Sequence, residues 1–288
     1  MRARHSLLLA AGTAAAYALY EPSRYRLGFA RVPVGPGTPP LSILHISDTH
    51  LRSKHRGRTA WVESIPERIG RIPDLVLATG DFIEDNSGIP NAVRALNAIE
   101  ARLGRYYVLG SHDYYVSRYR PPTKYFAKEH TPVRAQRADT QALESGLQKK
   151  GWIPLSNTSH VIDSPAGRVR VSGVDDPHLD RHSTDHIDRA PEDVAAIGLV
   201  HAPDVVSEWI LAGFDLVLGG HTHGGQVRVP GIGALVTNCD LPTALAGGLH
   251  RVGGGWLHVS FGLGTGRFTP IRFACRPEAT LLQLVPTC

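Results

Sequence analysis

LSILHISDTH, residues 41–50, joins a short apolar run rich in β-branched side chains to an Asp-x-His triplet. An apolar run of that length is the pattern of a strand buried on both faces, and Asp48 and His50 follow directly at its end. The pattern recurs. DLVLATGD (74–81) runs into Gly80 and Asp81, and RYYVLGSHD (105–113) runs into Gly110, Ser111, His112 and Asp113. Between these two, PNAVRALNAIEARLG (90–104) has Pro90 near its start, apolar residues at helical spacing and Gly104 at its end, the start and stop signals of a helix. Repeats of strand, helix and strand predict a sheet with parallel neighbours and covered faces.

Farther along, HVID and RVRVSGV flank a turn at Pro165 and Gly167 and read as a hairpin. EDVAAIGLVH and FDLVLGGHTHGG are apolar runs that end in His201 and in His221 with His223. The last part, with WLHVSFG, PIRFAC and ATLLQLV, is mostly strand-like. Ligand-type side chains thus collect at strand ends. In layered α/β folds that edge binds ligands, because loops converge there while the strands hold them rigid.

At 288 residues and 42% hydrophobic, the chain can bury a large core, and no Pro/Gly/Ser-rich linker divides it into halves. One large domain is expected over residues 41–288, behind an N-terminal segment (1–30) and a proline-rich connector, RVPVGPGTPP (31–40). In the N-terminal segment Arg2 and Arg4 precede an Ala-rich apolar run over residues 7–20, after which Glu21, Arg24 and Arg26 restore charge. The run is short against the roughly 20 residues that span a bilayer. The expectation is a single-pass membrane anchor, its side undecided because arginines flank both ends; the alternatives are export after signal cleavage and a soluble helix.

The net charge of +5 suits an anionic substrate, an anionic membrane surface or nucleic acid without choosing among them. No basic groove interleaved with aromatics is present in the sequence, so no nucleic-acid partner is expected. Cys239, Cys275 and Cys288 are odd in number and lack C-x-x-C spacing, which signals neither a disulfide framework nor a cysteine zinc site.

Asp48, His50, Asp81, His112, Asp113, His201, His221 and His223 mix carboxylates with imidazoles, donors that suit Mn, Fe, Zn or Co. Two such ions about 3.5–4 Å apart can clamp a phosphoryl group from both sides. A pair that close needs a bridging carboxylate, and Asp81, alone after glycine at the end of a central strand, is the candidate. A single Asp-x-His is usually a turn or a surface pair; the strength here is in the set.

In order and spacing the set resembles the calcineurin-like metallophosphoesterase superfamily, whose pattern is D-x-H, G-D, G-N-H-[DE], an isolated His and G-H-x-H. The likeness runs from about residue 41 to 285. HISDTHL, GVDDPH and GHTHGGQV further resemble its membrane-associated bacterial branch, and TNCDL with GLGTG a branch found in actinobacteria. The resemblance implies a four-layer α/β/β/α sandwich with the metal site at the strand ends and two divalent ions. It also implies hydrolysis of a phosphomonoester, phosphodiester or lipid-linked pyrophosphate through a metal-bound hydroxide. A nucleotide or nucleic-acid phosphodiesterase and a metal-binding scaffold without catalysis are the competing readings.

Residue by residue, the resemblance assigns Asp48, His50, Asp81 and His223 to one ion and Asp81, His201 and His221 to the other, with Ser111 where the family has an amide. It makes His112 the general acid, oriented by Asp113. Serine is shorter and its hydroxyl a poorer ligand, so a more weakly held second ion is expected. Asp175, Asp176 and His178 in GVDDPHLDRH are candidates for the rim of the substrate pocket, an Asp-Pro turn being the plain alternative. RSKHRGR (52–58) places a basic run after the first motif, suited to attracting phosphate or simply to solvation. The other histidines, His130 among them, lack such a context.

Overall fold

The apolar runs at 42–46, 75–79 and 104–108 lie side by side as parallel strands, because each is apolar on both faces and can be satisfied only inside a layered structure. The computed structural model describes residues 2–119, 136–164 and 167–287, which leaves His130, Pro165 and Cys288 outside the described residues. In chain order the strands are β1 (Arg26–Val34), β2 (Ser42–Ile46), β3 (Leu75–Thr79), β4 (Gly104–Val108), β5 (Trp152–Pro154), β6 (Thr158–Ser164), β7 (Gly167–Gly173), β8 (Asp193–Leu199), β9 (Leu216–Gly219), β10 (Arg228–Val229), β11 (Gly233–Ala234), β12 (Gly248–Val252), β13 (Gly255–Val259) and β14 (Glu278–Pro286). The α-helices are α1 (Arg2–Tyr20), α2 (Arg56–Glu63), α3 (Ile65–Ile69), α4 (Ile89–Asn97), α5 (Ser111–Tyr114), α6 (Thr140–Gln148) and α7 (Val206–Leu211).

One six-stranded sheet has the order β1-β14-β2-β3-β4-β5 and a second β12-β13-β9-β8-β7-β6, with β10 and β11 as a small separate pair. Pairing is parallel from β2 to β5 and from β7 through β8 and β9 to β13; β14 with β2, β6 with β7 and β12 with β13 are antiparallel.

Successive residues of a strand face opposite sides, and the core follows that rule. Ile43, Leu75, Leu77 and Val108 point inward to meet Val171, Ile197 and Leu218 of the second sheet. Leu44, Val76 and Ala78 point outward to meet Ala92, Leu96, Leu143 and Leu147 of α4 and α6. On the far face of the second sheet Ala196, Val217 and Leu257 pack under Trp209 and Phe214. Three apolar interfaces thus separate four layers, the α/β/β/α sandwich. The six-strand core turns all its parallel strand ends to one edge.

Several expectations change. The helix at 90–104 ends at Asn97, and Gly104 instead opens β4. PIRFAC is irregular rather than a strand, joined to the rest by a bridge from Phe273 to Val227. β1 crosses the expected boundary at residue 30 and pairs with β14 along its whole length, from Arg26 opposite Glu278 to Val34 opposite Pro286. An edge strand tolerates Pro33, which is why a proline-bearing segment can join the sheet.

The single-pass anchor is overturned: no helix among the described residues is long and apolar enough to cross a membrane. α1 has 19 residues, opens on Arg2 and Arg4, and carries Gly12 and Thr13 within its Ala-rich run. Its last turn is attached to the body of the protein. The Tyr17 ring stands edge-on to Phe273 with centroids 5.3 Å apart, and the Ala18 carbonyl accepts the Arg272 N–H at 3.0 Å.

Two fully interior histidines join the sheets. His45 Nδ1 of β2 lies 2.9 Å from His258 Nδ1 of β13, and His45 Nε2 is 2.8 Å from Thr79 Oγ1. Thr79 Oγ1 donates to Ser47 Oγ at 2.7 Å, and Ser47 Oγ donates to Asp48 Oδ2 at 2.5 Å. Burial, helped by the facing ring, drives His45 well below its ordinary pKa; burial, with His250 adding, takes His258 down to about 3. Both rings are therefore neutral in the folded chain, while in the unfolded chain they take up protons below about 6.5. The unfolded state then binds more protons, so stability falls as pH drops from about 6.5, by up to about 1.4 kcal/mol per pH unit for each ring. Urea unfolding of chelator-treated protein between pH 7 and 4 should show this slope, and His258→Gln should make it shallower; an unchanged slope would assign the acid sensitivity elsewhere.

Candidate metal centre

Six parallel strands of the two sheets end at the same edge, and each delivers candidate ligands: β2 gives Asp48 and His50, β3 Asp81, β4 Ser111 with His112, β7 Asp175 and Asp176, β8 His201, and β9 His221 with His223. Backbone bonds lace these exits together. Asp48 N donates to the Gly80 carbonyl and His50 N to the Asp81 carbonyl, both at 2.9 Å, and Gly220 N donates to the His201 carbonyl at 2.8 Å.

The backbone is strained where the candidate ligands sit. Asp48, His50, Asp81, His221 and His223 have φ of 51, 40, 52, 67 and 50°, the left-handed region that side chains with a Cβ avoid. Each such residue costs on the order of 1–3 kcal/mol and persists only where its surroundings dictate it. Gly80 and Gly110 make the crowding possible. A Cβ on Gly80 would collide with the Gly110 backbone, and one on Gly110 would overlap Asp81 Oδ1 and come within 2.8 Å of the His201 ring.

Three groups of donors each bring ligand atoms within 4.8 Å of one another: Asp48 with His50 and His223, His50 with Asp81 and His112, and Asp48 with Asp81 and His201. His221 joins none of them directly. Its Nε2 lies 3.1 Å from the Asn238 carbonyl, while its ring stands edge-on to His201 at 5.3 Å and its N–H donates to Asp48 Oδ1 and Oδ2 at 3.2 Å. Ser111 is half-buried at the start of α5, beside the His112 N–H that donates to Asp81 Oδ1 at 2.9 Å.

Two observations test whether these residues fit cations. His50 Nε2 and His223 Nε2 face each other at 3.2 Å, although His50 Nδ1 is engaged by Glu84 Oε2 at 2.8 Å and His223 Nδ1 lies 3.1 Å from the Gly264 carbonyl. His223 Nδ1 also lies 3.2 Å from Arg272 Nη2, so both Nδ1 atoms are engaged from behind while the two Nε2 atoms converge on one point, the arrangement of two imidazoles that share a cation. His201 Nε2 is buried, 3.3 Å from Asp81 Oδ2, and makes no directed hydrogen bond among the described residues. An imidazole nitrogen set beside a carboxylate oxygen without a directed hydrogen bond is an arrangement that a shared cation satisfies. The donor set fits two divalent ions.

Electrostatics agree with strong coupling at the centre. Burial works against charge on Asp81, but His201 and His112 outweigh it and hold the carboxyl well below the usual range. Burial likewise opposes a charged His201, and Asp81 outweighs it, lifting this ring well above its ordinary pKa. His221 is pushed the other way, down to about 3, by burial and then by His178 and His201.

His112 meets Ser117 Oγ through Nδ1 at 2.7 Å, and its Nε2 is 3.9 Å from Asp81 Oδ2. Asp113 does not orient it. The Asp113 carboxylate is fully buried and accepts the N–H groups of Phe82 at 2.8 Å, Gly110 at 3.1 Å and Ile83 at 3.2 Å, so it ties the exits of β3 and β4 together. Burial, with Asp81 nearby, pushes it up to about 7 despite those donors.

The loop after β7 does not form an open acidic rim. Asp175 is held by Tyr114 Oη at 2.9 Å and Arg181 Nε at 2.9 Å, Asp176 is wholly buried, and His178 packs edge-on to His221 at 4.3 Å while its Nε2 meets Asp204 at 3.1 Å. The basic run 52–58 is partly used internally: Arg52 pairs with Asp85 at 2.7 Å, and buried Arg58 donates to the carbonyls of Thr49 and His50 at 2.7 and 3.0 Å.

Sequence reasoning missed Glu84 and Arg272. Glu84 lies within GDFIED, three residues after Asp81, and its 2.8 Å bond to His50 fixes which imidazole nitrogen is free to bind metal. Burial pushes its carboxyl up, but the His50 hydrogen bond and charge prevail and bring it down to about 2. Arg272 is completely buried and donates to the carbonyls of Gly264 at 2.6 Å, Gly262 at 3.1 Å and Cys275 at 3.2 Å, bracing the segment that covers His223.

Sandwich and donor set together define a metal-dependent phosphohydrolase. The calcineurin-like phosphoesterase profile matches residues 41–225, and the chain belongs to that family. It is 30% identical over 259 residues to the uncharacterized metallophosphoesterase YkoQ of Bacillus subtilis (strain 168), covering 86% of this chain and 85% of that protein. It is 26% identical over 222 residues to the uncharacterized metallophosphoesterase YkuE of the same organism, covering 75% and 69%. It is also 25% identical over 268 residues to the phosphodiesterase YaeI of Escherichia coli (strain K12), covering 92% and 88%. Two divalent ions are the cofactors of this family.

Glu84→Gln keeps the shape but removes the charge that orients His50. Calorimetric titration of chelator-stripped protein should then show about 10–100-fold weaker binding of one ion; unchanged affinity would mean that His50 needs no such support.

Proposed function

We propose that the protein hydrolyses phosphodiesters, opening the P–O bond in one displacement without a covalent phospho-enzyme. The preference for diesters draws on the Escherichia coli relative named a phosphodiesterase. When bound, two divalent ions neutralise phosphate oxygens and acidify the attacking water.

The protein's residues divide the remaining work, and Asp81 carries the proposal. Its Oδ2 is 3.5 Å from His50 Nε2 and 3.3 Å from His201 Nε2, between the two halves of the donor set, where one carboxylate can serve both ions. Asp48, His50 and His223 make up one half. His201, His221 and Ser111 make up the other. His112 stands on the open side with 29% of its side chain exposed, and the Ser117 bond at Nδ1 leaves Nε2 to hold the proton that the leaving oxygen takes. Asp113 keeps the backbone around Asp81 and His112 in register, a positioning task rather than a chemical one.

Turnover of bis-p-nitrophenyl phosphate and p-nitrophenyl phosphate with added manganese tests this reading. The diester should be the better substrate. His112→Ala should lower kcat by about 10²–10⁴-fold while the metal content holds, and Asp81→Ala should lose both activity and bound metal. A clear preference for the monoester would end the diester proposal, and full activity in Asp81→Ala would end the assignment of the site.

A further inference from the structure

Asp176 follows the end of β7, the strand beside β8, and is completely buried. Its two oxygens differ. Oδ1 accepts the His178 N–H at 3.0 Å, whereas Oδ2 is buried with no hydrogen-bond partner among the described residues. A carboxylate oxygen left dry and unpaired is destabilising, and a nearby cation offsets this. Burial lifts the Asp176 pKa. His201 Nε2, 3.3 Å from Asp81 Oδ2, likewise makes no directed hydrogen bond among the described residues.

The position of this loop matters as much as its burial. The end of β7 faces the end of β4, since a Cβ on Gly173 would come within 2.7 Å of Val108 Cγ1. Tyr114 of α5, three residues after Ser111, donates to both oxygens of Asp175 at 2.9 and 3.0 Å. The loop that carries Asp176 therefore lies on the side where Ser111 offers only a short hydroxyl, although Asp176 belongs to none of the three donor groups already drawn within 4.8 Å.

We infer that Asp176 completes the second ion's site, its unpartnered Oδ2 serving the ion also held by Asp81 and His201 and supplying what the short side chain of Ser111 does not. The inference rests on the two-ion reading above. It revises the expectation of a simply weakened second site: a donor is lost at the β4 end and a charged one is present at the β7 end.

Calorimetric Mn²⁺ titration of the full chain after chelator stripping, with elemental analysis of the loaded protein, tests it. Asp176→Asn should weaken one of the two sites by about tenfold or more while leaving the other unchanged. Adding Ser111→Asn to that variant should recover most of the loss. Ser111→Asn alone should change little, and a gain of about tenfold or more in that variant, which leaves Asp176 untouched, would overturn the inference. In chelator, Asp176→Asn should unfold at the wild-type temperature or above, because it removes an unpaired interior charge. Wild-type affinity at both sites in Asp176→Asn would also overturn the inference. Asp81→Ala separates the two readings: if it keeps both ions, the two-ion assignment fails, and if it loses them while Asp176→Asn does not, only the role of Asp176 fails.

Discussion

A single interior carboxylate dictates the arrangement around it. Asp81 is 3% exposed, and its oxygens are approached by the His112 N–H and by imidazole nitrogens of His50, His201 and His112. A charge so deeply placed must be met from several directions at once, and no single strand can do that. Two sheets whose parallel strands end at one edge can. The sandwich is in this sense the scaffold that a shared buried anion requires, and the glycines at 80 and 110 are what allow the backbones of β3 and β4 to close around it.

What the sequence reveals of this site is whatever short-range order encodes. The strands β2, β3 and β4 are legible because burial on both faces leaves an unbroken apolar run, and the D-x-H, G-D and H-x-H spacings are legible because ligands at strand ends stay close in sequence. Glu84 was hidden because an acid near a bridging aspartate has no mark of its own; its meaning is a contact with His50, 34 residues away. Arg272 was hidden because its surroundings suggested a strand, while its guanidinium is consumed by carbonyls of an irregular segment. β1 is masked by Pro33 and the prolines that follow it, and Asp113 does not meet the His112 ring because neighbours in sequence point different ways once a helix begins at Ser111.

The histidine pair between the sheets adds a further connection. From His258 through His45, Thr79 and Ser47 an unbroken row of hydrogen bonds reaches Asp48 Oδ2. A carboxylate held through such a row has less freedom to rotate than one held by packing alone, and networks of this kind are worth more together than in parts. The interface between the sheets thus does two tasks: it buries apolar area, and it fixes the rotamer of a residue at the strand edge.

Arg272 joins the N-terminal helix to the metal centre. Its backbone N–H is held by the Ala18 carbonyl in the last turn of α1, and its side chain grips the carbonyls of Gly262 and Gly264, the latter also 3.1 Å from His223 Nδ1. One buried arginine thus holds the N-terminal helix and the segment beside His223 together, so the end of α1 is part of the wall of the metal centre and not an appendage to it.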